Sequence, residues 1–510
     1  MMPEFKLQDL RNGILETSFQ HTEAFLRRSG LLGVAAAVSA AGQFVIVWSV
    51  ARVRGVDPLG VYGLATSLTY LAQRMLLSGL QPLVMRGVAR SDKGVGHSTG
   101  TAFLGVTVLG MLLTALLIVL AKVLGYSRYV VLTITIASLA LIPDAIRAVS
   151  EWTAIALGRV RYVAFITIGA SVLQTLVIGT VVFIRRPLVQ VFGVITCVSV
   201  LITVVYLVLL IRWVRPRRLE SNIPELTRWL RSLWPFLGIG TFGALSRRLD
   251  IPILTQFGGF GAAGIYTAAL KMVRPLILLR PAVFQAFFPI FVRLFDTKPE
   301  QSLRMTRETA RLLSVLLSTM ALITVVLANP LITTVYGADF APAARVLQIM
   351  VWGVPAFYAQ TLAASVLFAN NQEKAAVRIY GINLVAEIGL SLLLAPTWGS
   401  AGMAVVYVLV RILGMLQMWL VLRRHRIDLQ FGRRVLGPMF LAAMTSWLFA
   451  IFTRAIPPIA QLAACVMAGV LYNLMAIVAG FVSKRDLGLL WQVLRHCPSR
   501  PISHSQVGSE

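Results

Sequence analysis

Eight positive side chains lie in stretches otherwise fit for hydrocarbon, and they are where this 510-residue sequence has chemistry to offer. Arg247, Arg248, Lys271, Arg274 and Arg280 fall between Ser246 and Arg293; Arg74, Arg147 and Arg411 fall in other apolar runs. A charge within a membrane segment is costly, so it normally faces a water-filled interior or a partner and marks a transport path. Only four acids oppose the eight cations: Asp144, Glu151, Asp250 and Glu387. Asp144, Arg147 and Glu151 are three and four residues apart on one helix face, and Arg247 and Asp250 are three apart, so each set can neutralise itself locally. For the trio a structural cluster is the favoured reading; the alternative is that Asp144 binds a coupling proton or ion. Glu387 and Arg411 complete the candidates for coupling or structural ion pairing.

Lys271, Arg274 and Arg280 have no acidic neighbour on their own run, and Pro275 and Pro281 should kink it, so spacing alone does not say whether the three share a face. The structural reading pairs them with acids from other helices. The functional reading is an inner cavity that binds an anionic group, because guanidinium forks match phosphate oxygens.

The elements that must position these residues are membrane helices. The chain is 57% hydrophobic and only 13% charged, with a mean hydropathy of +0.80, too apolar for a soluble globule of this length. Fourteen apolar runs have the length to cross a bilayer: 30–50, 61–85, 99–121, 129–157, 162–183, 187–211, 235–257, 262–292, 309–328, 344–369, 377–395, 400–422, 435–453 and 459–482. The start of the chain lacks a cleavable signal pattern, so the first run is expected to stay as a signal anchor. The net charge of +27 is scattered between apolar runs and not gathered on one soluble face, which argues against nucleic acid. Lys and Arg crowd alternate loops, placing both ends in the cytoplasm and much of the charge against anionic lipid.

Gly60, Val61, Tyr62 and Ala65 recur as Gly264, Ile265, Tyr266 and Ala269, 204 residues on, and Pro82 to Arg86 recurs as Pro289 to Arg293, 207 residues on. This implies a duplicated six-helix unit. Its parts are a cytoplasmic tail (1–29), an N-lobe (30–211), a cytoplasmic linker (212–234), a C-lobe (235–422), two added helices (435–482) and a C-terminal tail (483–510). An even number of helices puts both copies into the membrane from the same side.

Other signals are weak. Gly238, Gly240 and Gly243 form GxGxxG at the start of an apolar run instead of after a strand, so no dinucleotide site is expected. Cys197, Cys465 and Cys497 suggest no disulfide or zinc site, the histidines show no metal spacing, and no cofactor is expected. The longest outer loop, Asn329 to Ala343, is short for a glycosyltransferase or polymerase, so the chain reads as a transporter and not as an enzyme.

The pieces DPLGVYGLATSL, LDIPILTQFGGFGAAGIYTAAL, VYGADFAPAARVLQIM and WGSAGMAVVYVLVR, in that order, resemble the polysaccharide flippases (Wzx type) of the multidrug/oligosaccharidyl-lipid/polysaccharide exporter superfamily. The resemblance runs from about residue 30 to 480. It implies an all-α polytopic membrane protein of about fourteen transmembrane helices, with two six-helix lobes around a central cavity and two C-terminal helices. It also implies alternating access that carries an undecaprenyl-diphosphate-linked oligosaccharide across the bacterial cytoplasmic membrane, for exopolysaccharide, O-antigen or capsule synthesis. Arg74, Arg247, Arg248, Lys271, Arg274 and Arg280 then occupy the places of the family's cavity cations. Implied partners are the lipid-linked oligosaccharide, anionic lipids and polysaccharide polymerase or export machinery. The first run carries no cation, unlike the lipid II flippase pattern, which speaks against a peptidoglycan precursor. A drug or cation exporter of the same superfamily is the alternative, and the cationic surplus disfavours it.

Overall fold

The computed structural model describes residues 5–90, 94–214, 245, 248–278, 291, 298–370, 372–425, 427, 429–430, 432–453 and 458–481. Among these residues the regular elements are helices, and ten stretches are long and apolar enough to cross a bilayer. The protein is a multi-span, all-helical membrane protein. A count of fourteen spans does not emerge, partly because 215–244 and 279–290 lie outside the described residues and partly because some runs break or merge.

The first unit comprises Met1–Met272, Ile332–Val346 and Tyr380–Val406. Its helices are α1 (Phe5–Arg54), α2 (Val56–Leu77), α3 (Leu80–Arg90), α4 (Gly94–Val123), α5 (Arg128–Leu139), α6 (Leu141–Ala156), α7 (Val160–Phe183), α8 (Leu188–Val214) and most of α9 (Asp250–Leu278). The run 61–85 is two helices because Gly79 turns at φ +77°. The run 129–157 is likewise split, into α5 and α6; Pro143, in the first turn of α6, has no N–H to continue the ladder back into α5. Packing explains why α2 is apolar on nearly every side: it touches α1, α4, α5 and α6, and Leu59, Leu64 and Leu76 are fully enclosed. The outward-facing Leu112, Leu116, Phe165 and Leu176 form the kind of apolar surface that lipid covers.

The repeat is written into the backbone. Gly55, which starts α2, has φ +87°, and Gly259, which breaks α9 into a hairpin, has φ +76° at the same 204-residue offset. Only glycine takes this conformation without strain. The two copies of the motif then meet. A Cβ on Gly60 would strike the Phe260 carbonyl, and one on Gly264 would strike the Val56 carbonyl, its counterpart under that offset. Gly63 abuts Thr267, the residue at its own register in the other copy. So α2 and α9 cross about a local two-fold, at a backbone separation that only glycine allows.

The turns on that side hold one another as well. Trp48 Nε1 donates to the Val335 carbonyl at 2.9 Å, and Gln256 Nε2 donates to the Leu124 carbonyl at 3.2 Å. The Tyr126 and Thr255 hydroxyls lie 3.0 Å apart. Burial raises the Tyr126 pKa, with the Thr255 hydrogen bond pulling the other way, so this phenol remains neutral and able to donate.

The second unit comprises Val273–Leu331, Leu347–Ile379 and Tyr407–Glu510. It takes parts of α10 (Pro299–Tyr336), α11 (Pro342–Met350) and α13 (Glu373–Arg424), with α12 (Gly353–Ala369), α14 (Gly437–Thr453) and α15 (Pro458–Val478). α13 merges two expected spans: its 52 residues would reach about 78 Å, against a hydrocarbon core of about 30 Å, and it turns at Gly399 with φ +52°. A core of Ala363, Leu367, Met415, Met418 and Leu422 joins α12 to the end of α13. Glu308 of α10 lies 2.6 Å from Arg311 Nη2 and 3.1 Å from Arg434 Nη1, tying α10 to the segment before α14.

Candidate functional site

α2 and α9 carry the cations of interest, and the glycine crossing fixes them in register. Arg74 lies in the last turn of α2, one helical turn beyond Tyr70, and Arg248 lies two residues before α9. The Arg74 guanidinium carbon is 5.2 Å from the centroid of the Tyr70 ring, and that of Arg248 is 5.0 Å from the same centroid. The two charges are therefore at most about 10 Å apart, and at an effective dielectric of about 20 they repel by at least about 1.5 kcal/mol. Each cation–π contact returns about 0.5–1 kcal/mol, or about 2 when desolvated, so one ring roughly offsets the repulsion. Among the described residues neither guanidinium meets a carboxylate.

Lys271 and Arg274 lie two and three turns past the Gly264 contact on α9; both are half-buried and both have a partner. Under the 204-residue offset their counterparts in the first copy are Ser67 and Tyr70, so these two cations are not repeated there. Arg274 falls in the second unit and Lys271 in the first. Arg247 and Arg280 lie outside the described residues.

Asp250 is buried and held by hydrogen bonds: Tyr266 donates to its Oδ2 at 2.7 Å and the Ile251 N–H to its Oδ1 at 2.8 Å. It ties the two limbs of the α9 hairpin together. The fourth-run trio forms as its spacing suggests, with Arg147 Nε 3.5 Å from Asp144 Oδ1 and Nη1 3.8 Å from Glu151 Oε2. Two acids about one base leave a net negative charge, each side chain about a quarter exposed. Removing the base should hurt most: Arg147→Ala is expected to cost about 1–3 kcal/mol. Thermal midpoints in detergent check this, and adding Asp144→Asn and Glu151→Gln to the same protein should recover most of the loss.

Glu387 is buried on α13 with Asn383 four residues before it and Ser391 four after, on one face. Asn383 Oδ1 and Ser391 Oγ have no hydrogen-bond partner among the described residues. Arg411 meets rings, with its guanidinium carbon 4.9 Å from the centroid of Phe357 and 5.0 Å from that of Tyr407. No cluster of metal-ligating side chains occurs among the described residues; Cys197 and Cys465 are free thiols.

Sequence reasoning missed Tyr70. Its signal was its position four residues before Arg74 on a helix, a spacing that brings ring and guanidinium together. Arg248 joining the same ring had no signal in the sequence, because 178 residues separate the two.

The family model described as polysaccharide biosynthesis protein matches residues 49–345. A lipid II flippase, MurJ, in an inward closed conformation superposes with a TM-score of 0.70 at 13% identity, covering 90% of this chain and 99% of that one. An inward-facing multidrug resistance MATE family transporter of the MOP superfamily gives 0.59 at 14% identity, covering 76% and 94%. A MOP superfamily transporter from Pyrococcus furiosus with a binding pocket of reverse polarity gives 0.50 at 12% identity, covering 79% and 94%. No curated protein sequence matches the chain. Sharing its fold with these transporters and matching the family model over more than half its length, the chain belongs to the polysaccharide biosynthesis protein family.

Proposed function

We propose that this protein is a flippase that carries a polyprenyl-diphosphate-linked oligosaccharide from the cytoplasmic to the outer face of the bacterial cytoplasmic membrane, with both termini in the cytoplasm. The observation that carries the reading is the placement of two arginines, Arg74 and Arg248, on one ring with no carboxylate beside them among the described residues. A drug exporter for cations would need acids there. The diphosphate binds the cations, the sugars occupy the aqueous interior and the polyprenyl chain stays in lipid. Alternating access then requires the Trp48, Tyr126 and Gln256 hydrogen bonds to part. No bond is made or broken, so the protein acts as a transporter and not an enzyme.

With the cytoplasm negative, outward movement of anionic cargo gains about 2.3 kcal/mol per charge per 100 mV, and the emptied cationic site is drawn back. Glu387, beside the uncommitted oxygens of Asn383 and Ser391, is the candidate for ion or proton coupling. Glu387→Gln is expected to slow transport several-fold and to flatten its dependence on imposed sodium or proton gradients, read as initial rates in proteoliposomes.

The deciding experiment is translocation of lipid-linked oligosaccharide in vesicles by the wild type and by Lys271→Ala and Arg274→Ala. Each substitution is expected to lower the rate about tenfold or more, the loss of one charge-assisted contact. Full activity in both would exclude these two from the binding set, and new glycosidic bonds formed by purified protein would favour an enzyme.

A further inference from the structure

We infer that Tyr70 is a positioning residue for the anionic group of the cargo: its ring presets the spacing of Arg74 and Arg248 so that the two guanidiniums together meet a diphosphate. This rests on the flippase reading above. Tyr70 is half-buried on α2, a helix whose place is fixed by the Gly60 and Gly63 contacts. Two guanidinium carbons stand 5.2 and 5.0 Å from its ring centroid, one from its own helix and one from the segment leading into α9.

Like charges left to themselves separate, and long arginine side chains sample many rotamers. A shared ring restrains both without consuming either, because a cation–π contact is satisfied by the charge and does not require an acceptor for the N–H groups. Those donors remain for phosphate oxygens. A carboxylate in the same place would neutralise the pair and compete with the cargo. Arg411 shows the opposite arrangement: one cation is close to two rings, Phe357 and Tyr407, with its Nε buried. There two rings meet one cation; at Tyr70 one ring meets two among the described residues. Two guanidiniums at one spacing suit a ligand with two adjoining anionic groups better than a ligand with one.

The test uses the full-length protein in nanodiscs, with polyprenyl diphosphate and polyprenyl monophosphate as probes and with transport assayed over a range of lipid-linked oligosaccharide concentrations. Tyr70→Phe and Tyr70→Trp keep the π face and are expected to bind diphosphate within about twofold of wild type. Tyr70→Leu is expected to weaken diphosphate binding roughly tenfold, about the worth of the lost ring contacts. It should change monophosphate binding much less and raise the transport KM more than it lowers kcat. Diphosphate binding unchanged in Tyr70→Leu while Arg74→Ala and Arg248→Ala both weaken it would overturn the role of Tyr70 and leave the flippase reading standing. Unchanged binding in the arginine variants too would remove the reading along with the inference. Should Tyr70→Leu fail to fold, the aromatic variants decide: diphosphate affinity lost in both assigns the residue's role to its hydroxyl or shape and overturns the proposal.

Discussion

Gly264→Val is expected to leave little folded protein in the membrane, and Gly60→Val to do the same to a similar degree. Each glycine abuts a backbone carbonyl of the opposing helix, Val56 for one and Phe260 for the other, and a backbone carbonyl cannot rotate aside as a side chain can. Overpacking a tight core contact costs about 1–3 kcal/mol when neighbouring side chains yield; here α2 and α9 would have to move apart. The cost should therefore exceed that range and approach the whole stability of a typical domain, about 5–15 kcal/mol. The equality of the two effects is the sharper part of the expectation, because it follows from the 204-residue relation between the contacts. Gly179→Ala on α7 is the control: a Cβ there meets nothing within 4 Å, and a helical alanine is preferred over glycine, so stability should hold or rise. Size-exclusion profiles of detergent-solubilised fluorescent fusions measure all three. A folded, monodisperse Gly264→Val protein would show that the crossing can loosen without loss.

The paired substitution Arg74→Ala and Arg248→Ala is the second large effect. If the two guanidiniums bind one diphosphate, losing both should reduce translocation by about 100-fold or more, near two charge-assisted hydrogen bonds of about 1.5–3 kcal/mol each. Each single substitution should already take a large share of that loss, because the remaining arginine has lost the partner it acts with. The sum of the two single effects should then exceed the effect of the pair. Strictly additive effects in proteoliposome transport would mean that the arginines act at separate places. Neither arginine packs in the core, so folded yield should stay near wild type.

The membrane class, the all-helical architecture and the repeat are local properties of the chain. Twenty-residue apolar runs, the Gly-x-Tyr motif at its fixed offset and the alternation of basic loops each depend on neighbours in sequence, and the structure places left-handed glycines at Gly55 and Gly259 as that offset suggests. The trio of Asp144, Arg147 and Glu151 was legible for the same reason, since one helix face sets its distances. Breaks within runs were harder to read. Gly79 and Gly399 interrupt helices through backbone angles that a glycine permits but does not require.

The site was legible only in its residue types. A cation among apolar residues announces a cost; what meets that cost comes from elsewhere in the chain, over separations that no periodicity records. Tertiary structure alone decided that Arg248 shares the ring of Tyr70 with Arg74, that Asp250 is held by Tyr266 and that Arg411 meets the rings of Phe357 and Tyr407. It also turned a repeated glycine from a sequence marker into a contact, because the meaning of a missing side chain depends on what comes close enough to need its absence. The sequence by itself determined that this is a helical membrane protein with a repeated Gly-x-Tyr motif and more positive than negative charge in its spans. The fold decided which charges share a ring, since a charge within a bilayer is stabilised by whatever surrounds it in space and not by its neighbours along the chain.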